Sequence, residues 1–132
     1  MPETSLQAGW DPAATALLEL LARTARGPRR EGVFALWLTV RVAQDLLLDA
    51  PPPERVYRRR LVALERRLSS LTVPPPLRRA LAAAILQRRE ARPATAPGVL
   101  SLLVAPARET AGPEAAEAVA LAARAARQAV SG

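Results

Sequence analysis

The longest apolar run in the chain extends from Glu31 to Asp49, EGVFALWLTVRVAQDLLLD. Its polar interior positions are only Thr39, Arg41, Gln44 and Asp45. Strands usually span about 4–8 residues, so a run of this length predicts a helix, here called helix 2. Its first half, residues 33–40, is apolar on nearly all sides, which is typical of a helix that other helices enclose. We therefore predict that helix 2 is the buried central helix of a bundle.

The second half of helix 2 carries its polar residues on one side, because Gln44 and Asp45 follow Arg41 by three and four positions. We expect these three residues to form a polar opening where the core meets water or a partner. Asp45 and Asp49 also make a carboxylate pair. Ion pairs with Arg41, Arg55 and Arg58 are the expected explanation, and a two-carboxylate Mg²⁺ or acid–base site is the alternative.

Two Pro-Pro-Pro corners, 51–53 and 74–76, separate two further helices. Proline lacks a backbone donor, so each corner ends one helix and precedes the next. Helix 3 is predicted at about 53–71 and helix 4 at about 77–90. Helix 3 has a heptad seam, the pattern of a face that packs along another helix, made of Tyr57, Leu61, Leu64, Leu68 and Leu71. Its partner is either a helix of the same chain or, as the alternative, the same seam of a second copy in a homodimer.

The remaining helices are shorter or richer in alanine. Helix 1 is predicted at 12–26, after a flexible tail at 1–10, and Gly27 ends it. Helix 5 is predicted at 97–105, with Pro106 as its end. Helix 6 starts at about residue 113. Because its face is mostly alanine it buries little area and should be the least firmly held long helix, unless a second chain covers it. The expected fold is all-α: a compact bundle of five to six short helices in one domain, residues 11–130.

Charge is concentrated on helices 3 and 4. The net charge is +7, but residues 51–92 alone hold eleven arginines and three acids. We predict a basic surface that binds an anionic partner, made of Arg55, Arg59, Arg60, Arg66, Arg67, Arg78 and Arg89. The competing interpretation is a solvated face. The chain has no lysine or asparagine and much alanine, arginine and proline. That bias indicates a GC-rich, bacterial genome, which also enriches arginine without any functional cause.

The sequence lacks the residue types that most catalytic mechanisms use. The sequence has no histidine, cysteine or lysine and no glycine-rich phosphate loop, so common bases and nucleophiles are absent. We expect no enzyme activity, no metal and no cofactor. The start of the chain lacks the pattern of a secretory signal, and helix 2 carries too much charge to suit a membrane span. The sequence therefore predicts a cytoplasmic adaptor or accessory subunit that binds an acidic protein through helices 3 and 4. Sequence-independent nucleic-acid binding is the alternative, and peripheral binding to an anionic membrane comes third.

Overall fold

Six α-helices make up most of the part of the chain that the structure describes. A computed structural model describes residues 10–47, 53–90 and 96–131. The helices are α1 Trp10–Arg23, α2 Pro28–Leu47, α3 Glu54–Ser69, α4 Pro75–Glu90, α5 Ala96–Ala111 and α6 Pro113–Ser131. These residues contain no strand. The predicted all-α bundle is confirmed.

Helix α2 is the central element, as predicted. It packs against α1, α3, α4 and α5. Between residues 33 and 40 every side chain is buried except those of Phe34 and Trp37, which are half-buried. Thr39 is fully buried, and its hydroxyl donates to the Ala35 carbonyl at 2.8 Å. The Thr39 hydroxyl is therefore satisfied within the helix, whereas the indole Nε1 atom of Trp37 is buried without a hydrogen-bond partner among the described residues.

Helices α2 and α5 meet backbone to backbone at Gly32. A Cβ atom placed on Gly32 would lie 2.0 Å from the Thr110 carbonyl oxygen. Only a residue without a side chain allows this approach. The glycine at the start of the apolar run thus sets how closely α5 can pack on the central helix.

Helices α5 and α6 form the most extensive helix pair in the bundle, and α6 also packs against α1. Small side chains fill much of the contact, which lets the two helix axes come close; the buried alanines are Ala107, Ala111, Ala115, Ala116, Ala122, Ala123 and Ala126. Each alanine buries little apolar area. These contacts do not measure how firmly helix 6 is held relative to helix 2, so that expectation stays a prediction.

The ends of helix α1 differ from those predicted. The helix begins at Trp10, which is fully buried, so residue 10 belongs to the core and not to a tail. Residues 1–9 lie outside the described residues. The helix ends at Arg23 instead of residue 26. The Thr24 hydroxyl donates to the Leu20 carbonyl at 2.6 Å, and such a side-chain bond competes with continuation of the helix.

The predicted end of helix 5 at Pro106 is wrong. Helix α5 runs through Pro106 to Ala111. Proline inside a helix removes one backbone bond and costs about 3 kcal/mol. Here Leu103, Ala107 and Ala111 are buried on both sides of it. Their packing against α2 and α6 offsets the local cost, and this long-range contact is not visible in the local sequence.

Because α5 approaches closely at Gly32, replacing this glycine by alanine should destabilise the protein, whereas the same change inside a helix is usually stabilising. Glycine to alanine inside a helix normally stabilises by about 0.5–1 kcal/mol. We expect Gly32→Ala to lower the free energy of unfolding by about 1–3 kcal/mol, because the added methyl group forces α5 away from α2. Urea unfolding measures the change. Ala83→Gly, at an exposed interior position of α4, calibrates helix propensity in this protein. A stabilised Gly32→Ala variant would contradict the contact.

Candidate binding surface on α3 and α4

One side of helix α3 is fully used inside the chain. Tyr57, Leu61, Leu64 and Leu68 are buried, and α3 packs against α2 and α4. The Tyr57 hydroxyl donates to the Ile85 carbonyl of α4 at 2.7 Å. The seam of α3 thus packs against helices of the same chain, which is the first of the two predicted alternatives. Leu71, the fifth seam residue, lies beyond the end of α3 and is half-buried, so the described seam residues offer little apolar surface to a second copy.

The opposite side of α3 carries an exposed row, here called the arginine stripe: Arg55, Arg59, Val62 and Arg66. Spacings of four, three and four residues place them on one face of the helix. At a rise of 1.5 Å per residue the row is about 16 Å long. Val62, in its middle, is 48% exposed. The stripe is therefore a basic row with an apolar side chain near its centre.

The stripe continues onto helix α4 through a shallow groove of about 280 Å³, here called the α3–α4 groove. Arg66 belongs to its lining, together with Arg78 and Arg79 of α4. The half-buried Arg78 is held in place, since its Nη1 atom donates to the Val73 carbonyl at 3.3 Å. Two helices thus bring three guanidinium groups to one groove. The lining also contains Val62, Glu65, Ser69 and Pro75.

Sequence reasoning missed two members of this surface, Arg79 and Val62. Helix periodicity placed Arg78 with Arg89 on one side of α4, but it could not show which side faces α3. Val62 was passed over because it breaks the run of charges, although its spacing from Arg59 and Arg66 is the signal that finds it. The side chain of Arg89 lies outside the described part of the chain.

The two arginines that flank the seam differ in their surroundings. Arg60 forms an ion pair from its Nη1 atom to the Asp45 Oδ2 atom of α2, whereas exposed Arg67 makes no ion pair with a described residue. Arg58 pairs with Glu54 at 3.0 Å, one helical turn away. Arg55, Arg59 and Arg66 also make no such pair. The positive charge of the stripe is therefore not neutralised by the described residues.

The predicted polar opening on α2 is occupied by contacts within the chain. Arg41 donates to the Gln44 side-chain oxygen at 2.8 Å, and Gln44 in turn donates to Asp11 at 2.9 Å. Arg41 also lies 3.8 Å from the Asp11 carboxylate. Asp45 pairs with Arg60 instead of Arg41. These exposed contacts join α2 to the first turn of α1 and to α3, and exposed pairs of this kind contribute little stability each.

The structure bears only in part on the predicted carboxylate pair. The described residues contain no group of three or more acidic side chains that could hold a metal ion. Asp49 lies outside them, so the Asp45/Asp49 pair is not described. Elsewhere, Glu117 of α6 lies 3.4 Å from Arg124. No described helix is long and apolar enough to cross a membrane.

Comparisons of the chain with protein families, with curated proteins and with solved structures found no match.

The corner between α3 and α4 is attached to the start of the central helix. Glu31 of α2 accepts hydrogen bonds from the backbone N–H of Thr72, at 2.8 Å, and from its hydroxyl. The hydroxyl bond, and next the backbone bond, lower the pKa of Glu31 below its ordinary value of 4.5. The charged Glu31 carboxylate thus links the corner between α3 and α4 to the start of α2.

This attachment predicts a pH-dependent contribution to stability. Because folding lowers the pKa of Glu31, its contribution is present above the ordinary value of 4.5 and is lost as the pH falls through the lowered value. We expect Glu31→Gln to destabilise the protein at about pH 7 and to have little effect at about pH 2. Urea unfolding at the two pH values measures this.

Glu19→Gln is the matched control, because exposed Glu19 makes no ion pair or hydrogen bond with a described residue. A destabilisation by Glu31→Gln that is equal at both pH values would show that the charged form of Glu31 has no special role.

Proposed function

We propose that this protein is a non-catalytic adaptor or accessory subunit that binds an acidic segment of a partner protein through the arginine stripe and the α3–α4 groove. The observation that carries the proposal is the stripe itself. Arg55, Arg59 and Arg66 share one exposed face and make no ion pair with a described residue. Like charges one turn apart repel each other, and the carboxylates of a partner would relieve that repulsion.

The central position of Val62 favours a protein partner over nucleic acid. Protein interfaces place an apolar contact at the centre and charged groups at the rim, and Val62 stands between Arg59 and Arg66 in this way. Base stacking needs an exposed aromatic ring, but Tyr57, the one aromatic residue of α3, is fully buried.

Sequence-independent nucleic-acid binding is the second candidate function, because a row of guanidinium groups also fits the phosphate backbone. Peripheral binding to an anionic membrane would use the same charges. Under the favoured proposal the protein acts in a bacterial cytoplasm and catalyses no reaction, in line with a sequence that contains no histidine, cysteine or lysine.

A charge-reversal experiment tests this proposal. Tagged wild-type protein and the Arg59→Glu/Arg66→Glu variant are used as bait in nuclease-treated lysate of the native host. We expect the double variant to capture at least about tenfold less of a reproducible protein partner, because it sets like charges against each other. Purified partner is then titrated against both proteins by fluorescence anisotropy.

The matched control is Arg108→Glu/Arg124→Glu, which changes the net charge equally on exposed positions of α5 and α6. It should bind like the wild type. Equal loss in both variants, or no loss in the first, would contradict a specific surface.

Val62→Ser separates the candidate ligands, since it leaves every charge in place. It should weaken a protein partner while leaving any binding of a labelled DNA duplex unchanged. Duplex binding that is strong at low salt, falls steeply with salt and is lost in the Arg59/Arg66 variant would instead support the nucleic-acid function.

A further inference from the structure

A second basic region lies around the turn between α1 and α2, away from the α3–α4 surface. A pocket of about 580 Å³, here called the turn pocket, is lined by residues of α1, α2, α5 and α6 and of the turn itself. It shares no residue with the arginine stripe or with the α3–α4 groove. Its volume is within the range of about 300–1,000 Å³ that is typical of sites for small molecules.

Three arginines line the turn pocket: Arg23 at the end of α1, Arg26 in the turn and Arg29 at the start of α2. None of them makes an ion pair with a described residue. Glu114 of α6 is the one carboxylate of the lining, so the pocket carries a net charge of +2. An ordinary solvated turn has no need to gather three unpaired cations around a cavity.

The Arg29 guanidinium lies against Gly112, the glycine that precedes α6. A Cβ atom on Gly112 would lie 2.6 Å from the Arg29 Nη2 atom. Gly112 also has a φ of 97°, where other residues are strained. The missing side chain therefore leaves the space that the Arg29 guanidinium occupies, which connects the start of α2 to the start of α6.

The pocket has an apolar part as well as a charged one. Ala25 and Pro28 belong to its lining and are exposed, beside the largely buried Leu20 and Val33. A bare inorganic anion would leave this part without a contact. The combination suits a small organic molecule with one compact, doubly charged group.

We propose that the turn pocket binds a small, soluble phosphomonoester, with its phosphate among Arg23, Arg26 and Arg29 and its organic body against Ala25 and Pro28. A phosphomonoester carries about −1.5 to −2 charges at pH 7 and three acceptor oxygens on one atom. It matches the net charge of the pocket and can accept from three guanidinium groups at once. A dicarboxylate carries its two charges on separate carboxylates, each with only two acceptor oxygens.

Isothermal titration calorimetry with phenyl phosphate tests the proposal. We expect binding to the wild type at about pH 7.5 that weakens as the pH falls below about 6, where the phosphate becomes singly charged. The Arg23→Gln/Arg26→Gln variant should bind at least about tenfold more weakly, because it loses charge-assisted hydrogen bonds. Both positions are exposed, and circular dichroism checks that the variant is folded.

Three comparisons make the result specific. Arg55→Gln/Arg59→Gln, which loses the same charge from the stripe, should bind phenyl phosphate like the wild type. Inorganic phosphate should bind more weakly than phenyl phosphate, and phenol should not bind. No binding of phenyl phosphate, equal losses in the two double variants, or equal affinity for inorganic phosphate would each overturn the proposal.

Vesicles that contain phosphatidic acid distinguish a lipid headgroup from a soluble ligand. Binding to these vesicles that depends on Arg23 and Arg26, in a protein that does not bind phenyl phosphate, would also overturn it. A failure here leaves the function proposed for α3 and α4 unaffected, because the two regions share no residue and the variants differ.

Discussion

Enclosure of the first half of α2 is the constraint on which the rest of the structure depends. Four helices pack against α2. Its residues 33–40 contribute mainly apolar side chains, the internally satisfied Thr39 hydroxyl and the Trp37 indole, whose Nε1 atom has no partner among the described residues. Gly32 then admits the α5 backbone at the start of this stretch. With few aromatic residues in the chain, close packing of leucine, valine and alanine must supply the stability that large side chains provide elsewhere.

The central helix also determines which surfaces remain free. Helix α3 packs against α2 and α4 through its seam, so its opposite face is left to solvent with the arginine stripe on it. The Glu31–Thr72 contact fixes the corner of that hairpin to the start of α2. At the same end of α2, the turn after α1 brings further arginines around a pocket. Both proposed sites are thus positioned by one buried element while sharing no residue.

Local periodicity was enough to predict the helices, the central place of helix 2 and the faces of α3. Apolar spacing and proline corners are local signals, and they carry this information directly. Contacts between residues far apart in the sequence could not be predicted from these local signals. The sequence alone could not show that packing keeps Pro106 within α5, that Asp45 pairs with Arg60, or that Arg79 joins Arg66 across a groove. The turn pocket was missed for the same reason, because its arginines gather only when four helices assemble.

Native-state hydrogen exchange tests the central role of α2 most directly. Amides of residues 33–40 should exchange only through global unfolding, with an opening free energy equal to that measured by urea unfolding. Amides of α6, whose buried face is mostly alanine, should open at a lower free energy. Exchange in α2 that is as fast as in α6, or faster, would contradict the view that the bundle is built on an enclosed central helix.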